Sequence, residues 1–442
     1  MKLTKKLLAT ATALTTLTAC RAYSPALTAP PRAPAPKVNY KIVESTSEGK
    51  VIEIDTRVDI LFIIDDSRSM ERHQKKLSEN INAFVDEIAK IKAIDFHIGY
   101  TVAHDSSRYD SGIVPRVCGN GLDPKGRDTT IPNWEDAGTL RPLKGAESLN
   151  GRRYVTNDDD FRAILKASLD PLQNKFLVKD LIDKSPENPS VCPYGPQEEE
   201  LFTPLLGAVT NPIVTEGANK GFRRDGALFI AVIVSDAKDA SGKTAQEVKS
   251  RIEDAVGSSV NKRRFRAFSV AINPGLEIGP GSNSWSNCRP DPAFATGRDK
   301  LGNYIFNRRA VADDENPLVS LAKLTEDENN GKVDQTLSIC DENYGGKLAS
   351  FGKLISQDTL SDVEIQLNRR WDVTNTNKAL KVFIGDTQLV EGQHWSANPY
   401  DLTVTIFSQK IDWNKHKGEK IRVSFTPAID GLSTTRSVTA RK

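Results

Sequence analysis

The sequence predicts an α/β fold: a doubly wound, mostly parallel, Rossmann-like sheet followed by a small all-β C-terminal module. Three observations carry this. Residues 60–64 and 227–234 are apolar runs without polar alternation, the signature of strands buried on both faces. Strand-like and helix-like segments alternate from about residue 50 to 356, the order expected of a doubly wound sheet. After Ser356, short alternating segments separated by Asn, Gly, Asp and Pro take over, which is the texture of a β-sandwich.

The chain divides into residues 1–19, 20–40, 41–356 and 357–442. Lys2, Lys5 and Lys6 precede an apolar stretch over 7–19, too short to hold a bilayer as a stable span. Leu17-Thr18-Ala19-Cys20 resembles the lipobox of bacterial lipoproteins. The resemblance implies cleavage before Cys20, acylation of its thiol, and anchoring in the bacterial cell envelope. Arg21 is not the aspartate of an inner-membrane retention signal, which favours the outer membrane. Residues 22–37 carry five prolines among small residues and read as an extended tether. A net charge of +2 gives no basic field for nucleic acid.

In chain order, residues 50–55 alternate apolar and charged side chains and read as an edge strand. Residues 58–70, VDILFIIDDSRSM, follow as a buried strand that breaks into acids and hydroxyls. Such groups cannot extend a buried strand without partners. They can line a loop at its carboxyl end, where open α/β sheets bind ligands. Asp65-x-Ser67-x-Ser69 resembles the metal-ion-dependent adhesion site of von Willebrand factor type A domains. Met70, Leu77, Ile81, Phe84, Ile88 and Ile91 then share one face of a helix, which Ser67 or Ser69 is also placed to cap. A strand over 96–103 comes next, then a long Gly-, Pro- and Asn-rich segment holding Cys118. A short strand near 153–155 and a helix over 158–172, capped by Asp158 or Asp159, close this part.

Residues 198–209 are helically spaced, and Thr203-Pro204-Leu205 with Ala208 is similar to the T-P-L-x-x-A element of type A domains. That element implies Thr203 as a metal ligand, with Glu199 or Glu200 as acidic neighbours. The apolar run 227–234 ends in Ser235-Asp236. Type A domains place their final metal-site aspartate there, so the resemblance assigns Asp236, with Asp239 as the substitute. The family's strand order makes the two apolar strands neighbours and turns Asp65 and Asp236 toward one cavity. The implied site is Asp65, Ser67, Ser69, Thr203 and Asp236 around Mg²⁺ or Mn²⁺, with Ca²⁺ less favoured. Hard oxygen donors suit such ions.

A helix over 244–256, a strand over 265–272 and a second long insertion over 274–315, with Cys288, follow. A helix over 318–324, an edge strand over 332–339 reaching Cys340, and a closing helix over 341–355 complete the pattern. The last module has strands at 363–367, 380–384, 402–407 and 421–425, with Trp371, Trp395 and Trp413 as core. Four cysteines besides Cys20 in an exported chain argue for two disulfides in one of three pairings. Cys118–Cys192 with Cys288–Cys340 is favoured, because each bridge then ties down a long insertion.

Residues 237–244, AKDASGKT, have the context of a relaxed phosphate-binding loop. Ala replaces its first glycine, and Asp236 and Asp239 put negative charge where phosphates would lie. No catalytic serine elbow or paired-histidine zinc motif is present. The resemblance therefore implies a binding protein and no enzyme: a partner's Asp or Glu completes the cation's shell. The alternatives are a hydrolase using the same cation on water and an envelope scaffold with a vestigial site.

Overall fold

The computed structural model describes residues 40–66, 70–104, 137–145, 147–170, 199–258, 264–272, 295–298, 304–306, 316–326, 335–341, 344–372 and 380–428. The chain begins with a hairpin of β1 (Tyr40–Ser45) and β2 (Gly49–Ile54). Then come β3 (Arg57–Ile64), α1 (Glu71–Ala89), β4 (Asp95–Val102), β5 (Tyr154–Thr156), α2 (Phe161–Leu169), α3 (Phe202–Thr210) and a single turn, α4 (Pro212–Thr215). β6 (Leu228–Ser235), α5 (Ala245–Ala255), β7 (Phe265–Ala271), β8 (Ala295–Arg298), β9 (Tyr304–Phe306), α6 (Pro317–Leu324), β10 (Thr336–Ser338) and α7 (Tyr344–Thr359) follow. The last strands are β11 (Val363–Gln366), β12 (Leu380–Ile384), β13 (Thr387–Gln388), β14 (Trp395–Asn398), β15 (Thr403–Ile406) and β16 (Ile421–Phe425).

These strands form four sheets and correct the expected fold class. Three sheets are antiparallel throughout: β1-β2-β16-β12-β13, β11-β15-β14 and β8-β9. The fourth is mixed, in the order β10-β7-β6-β3-β4-β5, with β5 antiparallel to β4. Ten of the sixteen strands therefore lie outside it. A Rossmann-like sheet followed by a separate C-terminal β module does not describe this chain. The module takes β1 and β2 from the other end, and β2 lies between β1 and β16 rather than on an edge.

The reason is burial. Side chains of β2 alternate between covered and open, so one face needs an apolar partner. Ile52 and Ile54 find it in a core shared with Val382, Ile384, Ile421, Val423, Val363, Ile365, Val404 and Ile406. Trp371, Trp395 and Trp413 are buried in the same core. The indole N–H of Trp395 donates to Leu389 O at 3.1 Å, and that of Trp413 to Ser408 O at 2.7 Å. Lys50 crosses from one sheet to the other and donates to Gln366 O.

In the mixed sheet β3 is covered on both sides. Ile60, Phe62 and Ile64 pack with Leu77, Ile81 and Phe84 of α1 and Leu348 and Phe351 of α7. Leu61 and Ile63 pack with Leu205 of α3, Val248 of α5 and Leu318 of α6. Such double coverage explains the unbroken apolar run. The cap expected on α2 is different: Asp160 is the N-cap residue and makes no side-chain cap bond. Asp159 instead accepts from the Thr156 N–H at 2.6 Å and pairs with Arg152 at 2.6 Å, closing the turn from β5. Among the described residues no helix is long and apolar enough to cross a membrane.

Candidate metal centre

The mixed sheet's two central strands, β3 and β6, run parallel and end level, with Ile64 opposite Val234. The ladder continues one step: the Asp65 N–H donates to Val234 O at 2.9 Å. Asp65 is fully buried, and Asp66 and Asp236 are nearly so. Ser235 Oγ donates to Asp65 Oδ2 at 2.7 Å and accepts from the Ala237 N–H at 2.9 Å. Gln74, one turn into α1, donates from Nε2 to Asp65 O at 2.6 Å. The first carboxylate is thus fixed in rotation by the neighbouring strand, and its backbone by the following helix.

The third contributor is the segment that enters α3. His104, just past β4, and Glu200 exchange backbone hydrogen bonds of 2.8 and 2.9 Å. Asp239 Oδ1 accepts from the Leu201 and Phe202 N–H groups at 2.7 and 2.9 Å, and Ala240 N donates to Glu199 O at 2.9 Å. The loop after β6 is therefore clamped to the start of α3. Asp239 satisfies backbone donors at a helix start, which is a capping role. Its carboxylate is engaged by backbone amides and by Ser241. Thr203, in the first turn of α3, donates to Glu200 Oε2 at 2.6 Å and accepts from Lys243 Nζ at 3.1 Å.

The charges of Asp65, Asp66 and Asp236 act on Glu199 where these elements meet. The Glu199 carboxyl is pushed up to about 8, by burial first and then by the charges of Asp65, Asp236 and Asp66. Burial and like charge both disfavour ionisation of this carboxyl. Asp65 and Asp236 come together; Thr203 is tied to the same loop through Asp239 and Lys243. Ser67 and Ser69 lie outside the described residues, as do Cys20, Cys118, Cys192 and Cys288. The N-cap residue of α1 is Met70, with no side-chain cap bond. Cys340 lies two residues past β10 and donates its N–H to Ser338 Oγ at 3.0 Å.

Carboxylates and hydroxyls are hard oxygen donors of the kind that divalent cations take. Among the described residues no group of three or more His, Cys, Asp or Glu is disposed to hold a metal ion. The expected set is of another kind, two carboxylates and three hydroxyls. Sequence reasoning missed Ser235, Gln74 and Lys243. Ser235 had a visible signal, since a hydroxyl beside an acid ends both apolar strands. Gln74 had none beyond its place one turn into a helix.

No protein-family model matches the chain, and no curated protein does. Similar solved structures include proximal thread matrix protein 1 from the mussel byssus, at 12% identity and TM-score 0.30, covering 84% of this chain and 71% of that one. The pilus adhesin SpaC of Lactobacillus rhamnosus GG matches at 9% identity and TM-score 0.29, over 88% of this chain and 42% of its own. The adhesive tip pilin GBS104 of Group B Streptococcus agalactiae matches at 10% identity and TM-score 0.21, over 90% and 86%. The chain thus spans less than half of SpaC, and scores this low carry no conclusion about family or function.

Proposed function

We propose that this chain is an envelope-anchored lipoprotein that binds a protein partner through a divalent cation, Mg²⁺ or Mn²⁺, in the manner of a metal-ion-dependent adhesion site. Asp65, Ser67, Ser69, Thr203 and Asp236 would hold the ion. The observation that carries this reading is that the buried carboxylates of Asp65 and Asp236 directly follow the adjacent parallel strands β3 and β6, which end side by side. When bound, the ion supplies an electrophilic site for an Asp or Glu of the partner. The chain's own residues prepare it. Ser235 holds Asp65 in one orientation. Glu200 Oε2 accepts the hydrogen bond of the Thr203 hydroxyl, whose lone pairs then point to other partners. A short charge-assisted contact in a partly dry site makes one acidic residue of the partner a hot spot.

The test is a pull-down from envelope extract with Mg²⁺ against EDTA, using wild type and the double variant Ser67→Ala plus Ser69→Ala. Capture should disappear with EDTA and with the variant. Metal-independent capture by the double variant would falsify the adhesion reading; turnover of a small ester or phosphate without any partner would turn it into a hydrolase. The anchor is tested in the same cells: Cys20→Ser should release the protein from membranes, and unmodified Cys20 in the intact mass would remove that part. Two disulfides complete the proposal. Its support is the even count of four cysteines besides Cys20 in a chain with an export signal. Four titratable thiols in the unfolded, unreduced mature protein would sink it.

A further inference from the structure

We infer that Lys243 is a tethered cation that competes with the divalent ion for Thr203 and so sets the ion concentration at which the site fills. The inference rests on the metal-site reading above. Lys243 Nζ lies 3.1 Å from Thr203 Oγ1. A threonine hydroxyl has one proton and two lone pairs. The proton is already committed to Glu200 Oε2 at 2.6 Å, so Lys243 consumes one of the two lone pairs through which Thr203 could ligate. An ammonium donor makes this a charge-assisted bond, stronger than a neutral one.

Lys243 does not arrive there on a loose loop. Ala237 is held by Ser235, Asp239 binds the backbone of Leu201 and Phe202, and Ser241 N donates to Asp239 Oδ2 at 3.1 Å. Thr244 then caps α5, accepting from the Glu247 N–H at 3.2 Å. Residues 235, 237, 239, 241 and 244 are thus pinned, and the Lys243 backbone sits between two pinned points. Its side chain is half-buried, while Glu200 beneath it is buried. A positive charge delivered near buried carboxylates lowers the repulsion there. The same charge repels an incoming divalent ion, and both effects are strong where water is scarce. Filling the site requires Lys243 to swing into solvent, which its flexible four-carbon stem allows.

Two opposite effects follow from removing it. Lys243→Met, tested in the full chain by thermal melting with Mg²⁺ alone as the probe, should melt lower than wild type in EDTA. Its Mg²⁺-induced rise in melting temperature should begin at about tenfold lower Mg²⁺. Lys243→Arg keeps the charge and should stay near wild type, and Lys243→Gln replaces Met in the test should the Met variant not fold. A response in the variant but not in wild type supports the inference in its strongest form. Equal Mg²⁺ midpoints in wild type and Lys243→Met would overturn it while leaving the metal site intact. No Mg²⁺ response in either protein would overturn it together with the metal site.

Discussion

Asp59 shows how a single buried charge on the far half of β3 sets the protein's response to pH. It is fully buried and paired with Arg224, which reaches Asp59 Oδ1 at 2.7 Å and donates its backbone N–H to Oδ2 at 2.6 Å. Even so, burial outweighs the guanidinium and pushes the Asp59 carboxyl up to about 6, from an ordinary value of 3.8. The folded state therefore holds this proton more tightly than the unfolded chain does. The stability it contributes is fully present below the ordinary value and is lost as pH rises through about 6. Asp59→Asn cannot titrate and should lack this slope. Urea midpoints of the two proteins, followed from pH ~4 to ~7, should show wild type losing ground against the variant. A constant offset across that range would count against it. Arg224 also bonds to Asp95 at 2.7 Å and keeps that partner in the variant, so the slope rather than the absolute midpoint is diagnostic.

Helix packing supplies the next scale. α1 and α7 lie together on one face of the mixed sheet, and Gly352 of α7 faces the α1 backbone. A Cβ placed on Gly352 would meet Phe84 O at 2.2 Å and Glu87 Cβ at 3.0 Å, a clash with backbone that no rotamer change relieves. Gly352→Ala should cost about 1–3 kcal/mol as an overpacked core contact, read as a lowered melting temperature. An unchanged melting temperature would mean the helices sit further apart than described. The elements themselves were largely legible. Residues 60–64 and 227–234 announced β3 and β6 by apolar runs, and α1 by its helical stripe, because double-sided burial and one-sided burial leave different periods. The caps were less so: Asp158 and Asp159 both suit a helix start, and only the turn from β5 decides that Asp159 faces Arg152 instead. Asp65 and Asp236 stand out by residue type just past two apolar strands, whereas Thr203, inside a helix, is implied only by the T-P-L-x-x-A resemblance. Lys243 could not be picked out, because a lysine in a loop carries no sign of where its amine goes.

Among the described residues an early hairpin pairs with the last strand, and this is the feature the sequence concealed. Alternation in residues 50–55 says that one face of a strand is buried but not against what. The partner, β16, lies beyond residue 420, and pairing that distant is set by tertiary burial rather than local pattern. Ile52 sits opposite Ile421, and Val51 opposite Arg422. Without β2, the inward faces of β12 and β16 lose Ile52 and Ile54 from their core, and the edge of β16 is left with unpaired N–H and C=O groups. A fragment starting at residue 357 therefore lacks a central strand of its own sheet. Three-stranded remnants with an open apolar face are marginal. We expect this fragment to show no cooperative thermal transition and no dispersed amide spectrum. A chain running from residue 40 to 428 should show both. A cooperatively folded 357–442 fragment would mean that β1 and β2 are an addition to the β module rather than part of its core. The same test bears on partner binding, since any capture by the C-terminal strands must be measured on a chain that includes the first hairpin.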